Sequence, residues 1–231
     1  MTNKTEDKIE KYALLFSGGK DSVYAGYLAK KAGNGIACLI TIISENPESY
    51  MFHTPSISEV KKQAKVMNLP IITKKTKGEK EKELIDLEDA IKSAIKKYKI
   101  KGIITGAVAS VYQAARIQKV CDKLKIEVFN PLWQKDQIEL LDELVRSNFN
   151  IIITGVFAYP LDKSWIGRII DKKFIKDIKS LNEKYKINPV GEGGEFESFV
   201  LNCPLFVKPL KIKKSSIFGE KNSWRMDIEI E

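Results

Sequence analysis

The chain has 231 residues, 43% of them hydrophobic, with 39 Lys and Arg against 30 Asp and Glu and a formal net charge of +9. No apolar run approaches the roughly 20 residues that cross a bilayer, and Met1 to Glu10 is charged where a signal peptide needs an apolar core, so a cytoplasmic protein without membrane contact is expected. The positive charge favours anionic partners, but it is spread over helical faces such as Lys61-Lys62 and Lys172-Lys173, so stable nucleic-acid binding is not expected.

Tyr12 to Phe16 is an apolar run that ends at Ser17-Gly18-Gly19-Lys20-Asp21-Ser22. Val23, Tyr24, Tyr27 and Leu28 follow at helical spacing, so the segment reads as a strand, a tight loop and a helix over 21–32. Such a junction cradles phosphate: two glycines admit close backbone approach, and the helix start contributes partial positive charge. Ser17 and Ser22 bring hydroxyls and Lys20 a mobile cation. Asp21 accepts hydrogen bonds only, which suits a metal ion or the bracing of the loop. The spacing is neither Gly-x-x-x-x-Gly-Lys-Ser/Thr nor Gly-x-Gly-x-x-Gly.

Ile36 to Ile43 reads as a second strand covered on both faces. The polar and aromatic stretch after it, Ser44 to Pro55, lies where an open α/β sheet builds its ligand crevice. A helix over 58–67 and a short strand over 69–73 follow. The charged segment Lys74 to Glu83 reads either as a solvated loop or as a lid whose lysines approach phosphate. Leu84 to Tyr98 is an amphipathic helix, and a buried strand over 101–105 ends at Gly106. A helix over 110–124, a strand over 126–129 stopped by Asn130-Pro131, a helix over 136–147 capped by Asp136, and an apolar run over 149–156 complete an alternation that predicts a parallel sheet.

Beyond this run the pattern changes. A helix over 171–185 precedes a glycine-rich stretch and strands over 196–201, 205–217 and 224–230, which predicts a smaller α+β portion over 131–231 beside a nucleotide-binding portion over 1–130 that carries the glycine loop. Cys38, Cys121 and Cys203 are scattered in apolar contexts and read as buried free thiols, with no disulfide framework or Cys-x-x-Cys site. No stretch specifies a symmetric interface, so a homo-oligomer is left open.

Ser-Gly-Gly-Lys-Asp-Ser resembles, residue for residue, the PP-loop of the N-type ATP pyrophosphatases, which release pyrophosphate after attack at the α-phosphate of ATP. Ser44-Glu45-Asn46 with Ser49 to Pro55 resembles the loop after the second strand in diphthine–ammonia ligases. Gly106-Ala107, Tyr112-Gln113, Arg116, Val120-Cys121 and Pro131-Leu132-Trp133 resemble their second signature. Gly191 to Val200, followed by Cys203-Pro204, resembles their third. These stretches span about 200 residues in the family's order. Val111 and Gln118 stand where the second signature often carries acidic residues, so any role of those carboxylates must be met differently here.

The resemblance implies a parallel-sheet, Rossmann-like domain of the HUP (adenine nucleotide alpha hydrolase-like) type, with ATP and Mg²⁺ as cofactors. It implies amidation of diphthine on elongation factor 2 by ammonium, through an acyl-adenylate, with release of AMP and pyrophosphate. Ser17, Gly18, Gly19, Lys20 and Ser22 would meet the phosphates, Asp21 the Mg²⁺ or the loop, and Ser44 and Glu45 the adenine. Lys20, Arg116, Glu192, Glu195 and Glu197 are the catalytic candidates. Tyr50, His53, Tyr112, Gln113 and Trp133 are the substrate-binding candidates, aromatic rings being attractive to the quaternary ammonium of diphthine. His53, the only histidine, suits either a base or a loop-bracing group. Two other functions fit the PP-loop: adenylation of a tRNA base, or an ATP-binding regulatory module without turnover.

Overall fold

The computed structural model describes residues 9–46, 57–79 and 81–231. Strands β1 (Lys11–Leu15), β2 (Gly35–Ser44), β3 (Ile71–Thr76), β4 (Gly102–Ile104) and β5 (Glu127–Phe129) form a parallel sheet in the order β3-β2-β1-β4-β5. Helices α1 (Lys20–Lys31), α2 (Ile57–Val66), α3 (Glu83–Tyr98) and α4 (Val111–Leu124) make its crossovers. The chain leaves β1 toward β2 and β3, then returns to the other side of β1 for β4 and β5. The loops after β1 and β4 therefore diverge at a topological switch point, where such sheets open a crevice.

Local chemistry accounts for these elements. Leu87, Ile91 and Ala94 form the buried stripe of α3, which ends at Lys99 in the left-handed conformation with φ of 54°. Ser110 caps α4 by accepting the Gln113 N–H, and Asp136 caps α5 (Gln137–Arg146) by accepting the Glu139 N–H at 2.8 Å. Asp171 does the same for Phe174 at the start of α6 (Lys172–Tyr185). Adjacent residues of β1 serve opposite faces: Leu14 belongs to the apolar cluster that also holds Tyr24 and Leu140, and Ala13 to the one built on Leu87, Ile91 and Ile103. Burial on both sides explains why the strand reads as a continuous apolar run.

The second sheet is antiparallel. It comprises β6 (Asn150–Val156), β7 (Phe196–Asn202), β8 (Ile212–Glu220) and β9 (Ser223–Ile230) in the order β7-β6-β9-β8. The alternation had placed the run over 149–156 in the parallel sheet; instead β6 is a central strand here. An apolar run reports that both faces are covered but is silent about the strand's neighbours, and β6 meets that condition between β7 and β9. Residues 205–210 are not strand as expected, although Leu205, Phe206 and Leu210 are buried. Lys74 to Thr76, read from sequence as loop, continue β3.

The two sheets share one hydrophobic cluster, in which Leu14, Leu39 and Ile104 join Ile151, Phe199 and Val200. All three cysteines are buried and free, and burial pushes each thiol up to about 12. Among the described residues no helix is long and apolar enough to cross a membrane.

Candidate active site

The glycine loop is fixed from three sides. The Phe16 N–H donates to the Ile40 carbonyl at 2.8 Å and the Thr41 hydroxyl to the Phe16 carbonyl at 2.7 Å, which pins the end of β1 to β2. Gly18 has φ of 81°, and a Cβ there would lie 2.3 Å from Gln63 Oε1, so both conformation and space require glycine. Fully buried Gln63 donates from Nε2 to the Gly18 carbonyl at 3.0 Å and the Val200 carbonyl at 2.8 Å. The third support is the second sheet, whose Ser198 hydroxyl accepts the Lys20 N–H at 3.2 Å.

The hydroxyls of Ser17 and Ser22, the two serines expected on phosphate, bond within the loop. Their hydroxyls lie 3.1 Å apart, Ser17 Oγ accepts the Gly19 N–H at 3.3 Å, and Ser22 Oγ donates to the Gly19 carbonyl at 3.0 Å. The Lys20 ammonium is buried, donating to Asp21 Oδ2 at 2.8 Å and to the Val190 carbonyl, with the Phe196 ring centroid 5.3 Å away.

Beside this loop lies a cavity of about 530 Å³ at the switch point. Asp21 forms one wall, Val108, Ser110, Tyr112 and Gln113 a second, and the segment Gly191–Gly194 with Phe196 and Glu197 a third; Phe157 and Arg225 complete it. Gly106 lets the walls meet, since a Cβ there would sit 2.7 Å from the Asp21 backbone. Glu192 joins the second and third walls. Its Oε1 accepts the N–H groups of Val108, Ala109 and Ser110 at 2.8, 2.7 and 2.9 Å. Three converging donors make an anion-holding nest at the start of α4.

Two carboxylates in the cavity have buried oxygens without a hydrogen-bond partner among the described residues, Asp21 Oδ1 and Glu197 Oε2. Burial pushes the Asp21 carboxyl above its usual range, with Lys20 pulling the other way. Burial likewise raises Glu197, and the positive charge of Arg225 opposes it. Glu195 accepts the Asn188 N–H at 3.2 Å through Oε1, and its buried Oε2 has no hydrogen-bond partner among the described residues.

The fold thus gathers Asp21, Tyr112, Gln113, Glu192 and Glu197 around one space. Arg116 lies outside that wall; its guanidinium stacks 3.5 Å from the Tyr112 ring centroid and Nε donates to Glu81 at 3.0 Å. Val111 is exposed, and Gln118 donates to Asp122 at 2.7 Å. Ser44 bonds locally to Asn46, the Glu45 N–H donates to the Thr76 carbonyl at 2.9 Å, and Trp133 is partly exposed away from the cavity. Tyr50 and His53 lie outside the described residues. Sequence reasoning passed over Phe157 and Arg225. The one available signal was Gly155, a break in an otherwise apolar strand, which marks close approach of other groups.

A nucleotide with Mg²⁺ suits this donor set. Mg²⁺ keeps several waters and takes one or two carboxylates plus phosphate oxygens, and the uncommitted Asp21 oxygen meets that need. Among the described residues no group of three or more His, Cys, Asp or Glu is placed to cage a metal by itself.

Residues 10–128 match the family model described as the diphthamide synthase N-terminal domain, and residues 136–230 match that of the diphthamide synthase C-terminal domain. The diphthine–ammonia ligases of Bos taurus and Homo sapiens are each 33% identical over 224 residues, covering 89% of this chain and 84% of theirs. That of Schizosaccharomyces pombe is 30% identical over 219 residues, covering 88% of this chain and 36% of its own.

Proposed function

The chain belongs to the diphthine–ammonia ligase family, and we propose that the cavity at its switch point is where ATP, diphthine-bearing elongation factor 2 and ammonia meet. It is an ATP-dependent ligase of diphthamide synthesis. The observation that carries the siting is the convergence of the PP-loop helix, the β4–α4 loop and the glutamate loop on one space. The ATP-binding portion is assigned to residues up to 130, with the remainder serving the protein substrate. A cytoplasmic location follows from that substrate.

A carboxylate does not release oxide, and ATP supplies AMP as the leaving group instead. The chain's residues then have separable duties. The Gly18-Gly19 backbone and the start of α1 receive the pyrophosphate end, where the helix dipole favours negative charge. Asp21 would hold Mg²⁺ through its uncommitted oxygen. Tyr112 and Gln113 shape the wall facing the acyl group, and Glu197 takes a proton from ammonium. Its raised pKa brings it nearer to the working pH than an ordinary glutamate, as a base requires.

The test is mass spectrometry of diphthine-bearing elongation factor 2 after incubation with the protein, Mg-ATP and isotopically labelled ammonium. A labelled amide formed together with AMP, and neither formed by Lys20→Ala, is the expected result. Absence of both products with the wild-type chain and verified substrate overturns the reading. RNA-dependent AMP formation in the same assay would redirect it to a tRNA base.

A further inference from the structure

We propose that Arg225, on β9, holds the substrate carboxylate so that its carbon faces ammonia delivered at Glu197. This rests on the ligase reading and adds a residue to it.

Glu197, Gly155 and Arg225 are register partners across three neighbouring strands, with Gly155 of central β6 opposite both. Strand spacing sets the two outer backbone positions about 10 Å apart. Glycine at the middle position leaves the space between them to the Phe157 ring, whose atoms would lie 2.6 and 2.9 Å from a Cβ on Gly155. The Arg225 guanidinium lies 4.9 Å from that ring's centroid, while Glu197 Oε2 would lie 3.1 Å from the same Cβ. A cation and an anion thus flank an aromatic floor in one wall of the cavity.

The two are held apart. Among the described residues no carboxylate stands within ion-pair distance of Arg225, and Glu197 Oε2 has no hydrogen-bond partner. The guanidinium is therefore available to a ligand carboxylate, and the buried Glu197 oxygen to a donor brought beside it. A planar guanidinium is the side chain best suited to a carboxylate, and stacking on Phe157 restricts its orientation.

The bond changes follow this row. One carboxylate oxygen bonds to the α-phosphorus as the bond from phosphorus to pyrophosphate breaks, while the other oxygen remains on Arg225. Ammonia then bonds to the carbon, the negative charge developing on the oxygen held by Arg225. The carbon–oxygen bond to AMP breaks; Glu197, having passed the proton it took from ammonium to solvent, accepts the second proton that nitrogen loses.

The experiment compares wild type, Arg225→Met and Arg225→Lys in labelled-ammonium amidation, with ATP affinity measured separately by titration of a fluorescent ATP analogue. A charge-assisted contact of this kind predicts kcat/KM for the protein substrate about 10- to 100-fold lower in Arg225→Met, with ATP affinity within about twofold of wild type. Arg225→Lys should recover part of the loss. Unchanged kcat/KM in Arg225→Met, or a parallel loss of ATP affinity, overturns the assignment while leaving the ligase reading intact. If Arg225→Met does not fold, the same two readouts on Arg225→Lys decide, a loss confined to the protein substrate supporting the assignment. An inactive wild type removes the ligase reading and this assignment together.

Discussion

The Val200 N–H donates to the Gly18 carbonyl at 3.1 Å, so a strand of the second sheet is bonded directly to the glycine loop of the first. Gln63 reinforces the junction by donating to both Gly18 and Val200 carbonyls. Gln63→Leu removes both bonds from a buried site and should cost about 1–3 kcal/mol of stability. It should also weaken ATP binding, because the loop loses its bracing. Chemical denaturation and nucleotide titration measure the two effects; a destabilised variant with wild-type ATP affinity would separate the junction from nucleotide binding.

Glu192 is predicted to be a structural clasp whose loss loosens the cavity. Glu192→Ala leaves the N–H groups of Val108, Ala109 and Ser110 without their acceptor. The expected consequence is faster hydrogen exchange at these three amides and a stability loss of about 1–3 kcal/mol, reduced where water reaches the donors. Unchanged exchange at 108–110 would contradict the clasp.

The pH dependence of stability has a definite sign at Glu197. Burial raises its carboxyl above the ordinary value of 4.5, so the folded chain binds the proton more tightly than the unfolded chain. Its contribution is fully present below about 4.5 and is lost as pH rises through the folded pKa. Glu197→Gln should therefore gain stability relative to wild type with rising pH across that window, and denaturation at several pH values reads the difference. Amidation runs the other way, with wild-type rate rising as Glu197 loses its proton and Glu197→Gln losing that rise.

Cys38, Cys121 and Cys203 should be inert in the folded chain. Their thiols are buried and pushed up to about 12, so little thiolate exists near neutral pH. A thiol reagent at mildly alkaline pH should modify none of them until denaturant is added, and prompt labelling of the folded protein would refute the burial.

The elements up to α5 were legible because local signals mark them: the glycine pair that ends β1, the Leu87–Ile91–Ala94 stripe of α3, the Asp136 cap of α5. Strand partnership was not. Nothing in the run from Ile151 to Val156 says that it pairs with β7 and β9, because pairing depends on residues forty or more positions away. The same limit applies to the site. Asp21, Tyr112 and Glu197 could be named from motifs, but Arg225 sits in a strand whose alternation of polar and apolar residues looks ordinary, and only register places it across Gly155 from Glu197. The contact between the Ser17 and Ser22 hydroxyls likewise emerges only from the folded loop.

The measurement closest to the central claim is the fate of carboxylate oxygen in a single turnover. Elongation factor 2 whose diphthine carboxylate carries heavy oxygen would be incubated with the protein, Mg-ATP and ammonium, and the nucleotide product analysed by mass spectrometry. Amidation through an acyl-adenylate predicts AMP carrying one heavy oxygen, matched in amount to the new amide. Amide formation with heavy oxygen in inorganic phosphate beside ADP, or with none in AMP, would contradict it.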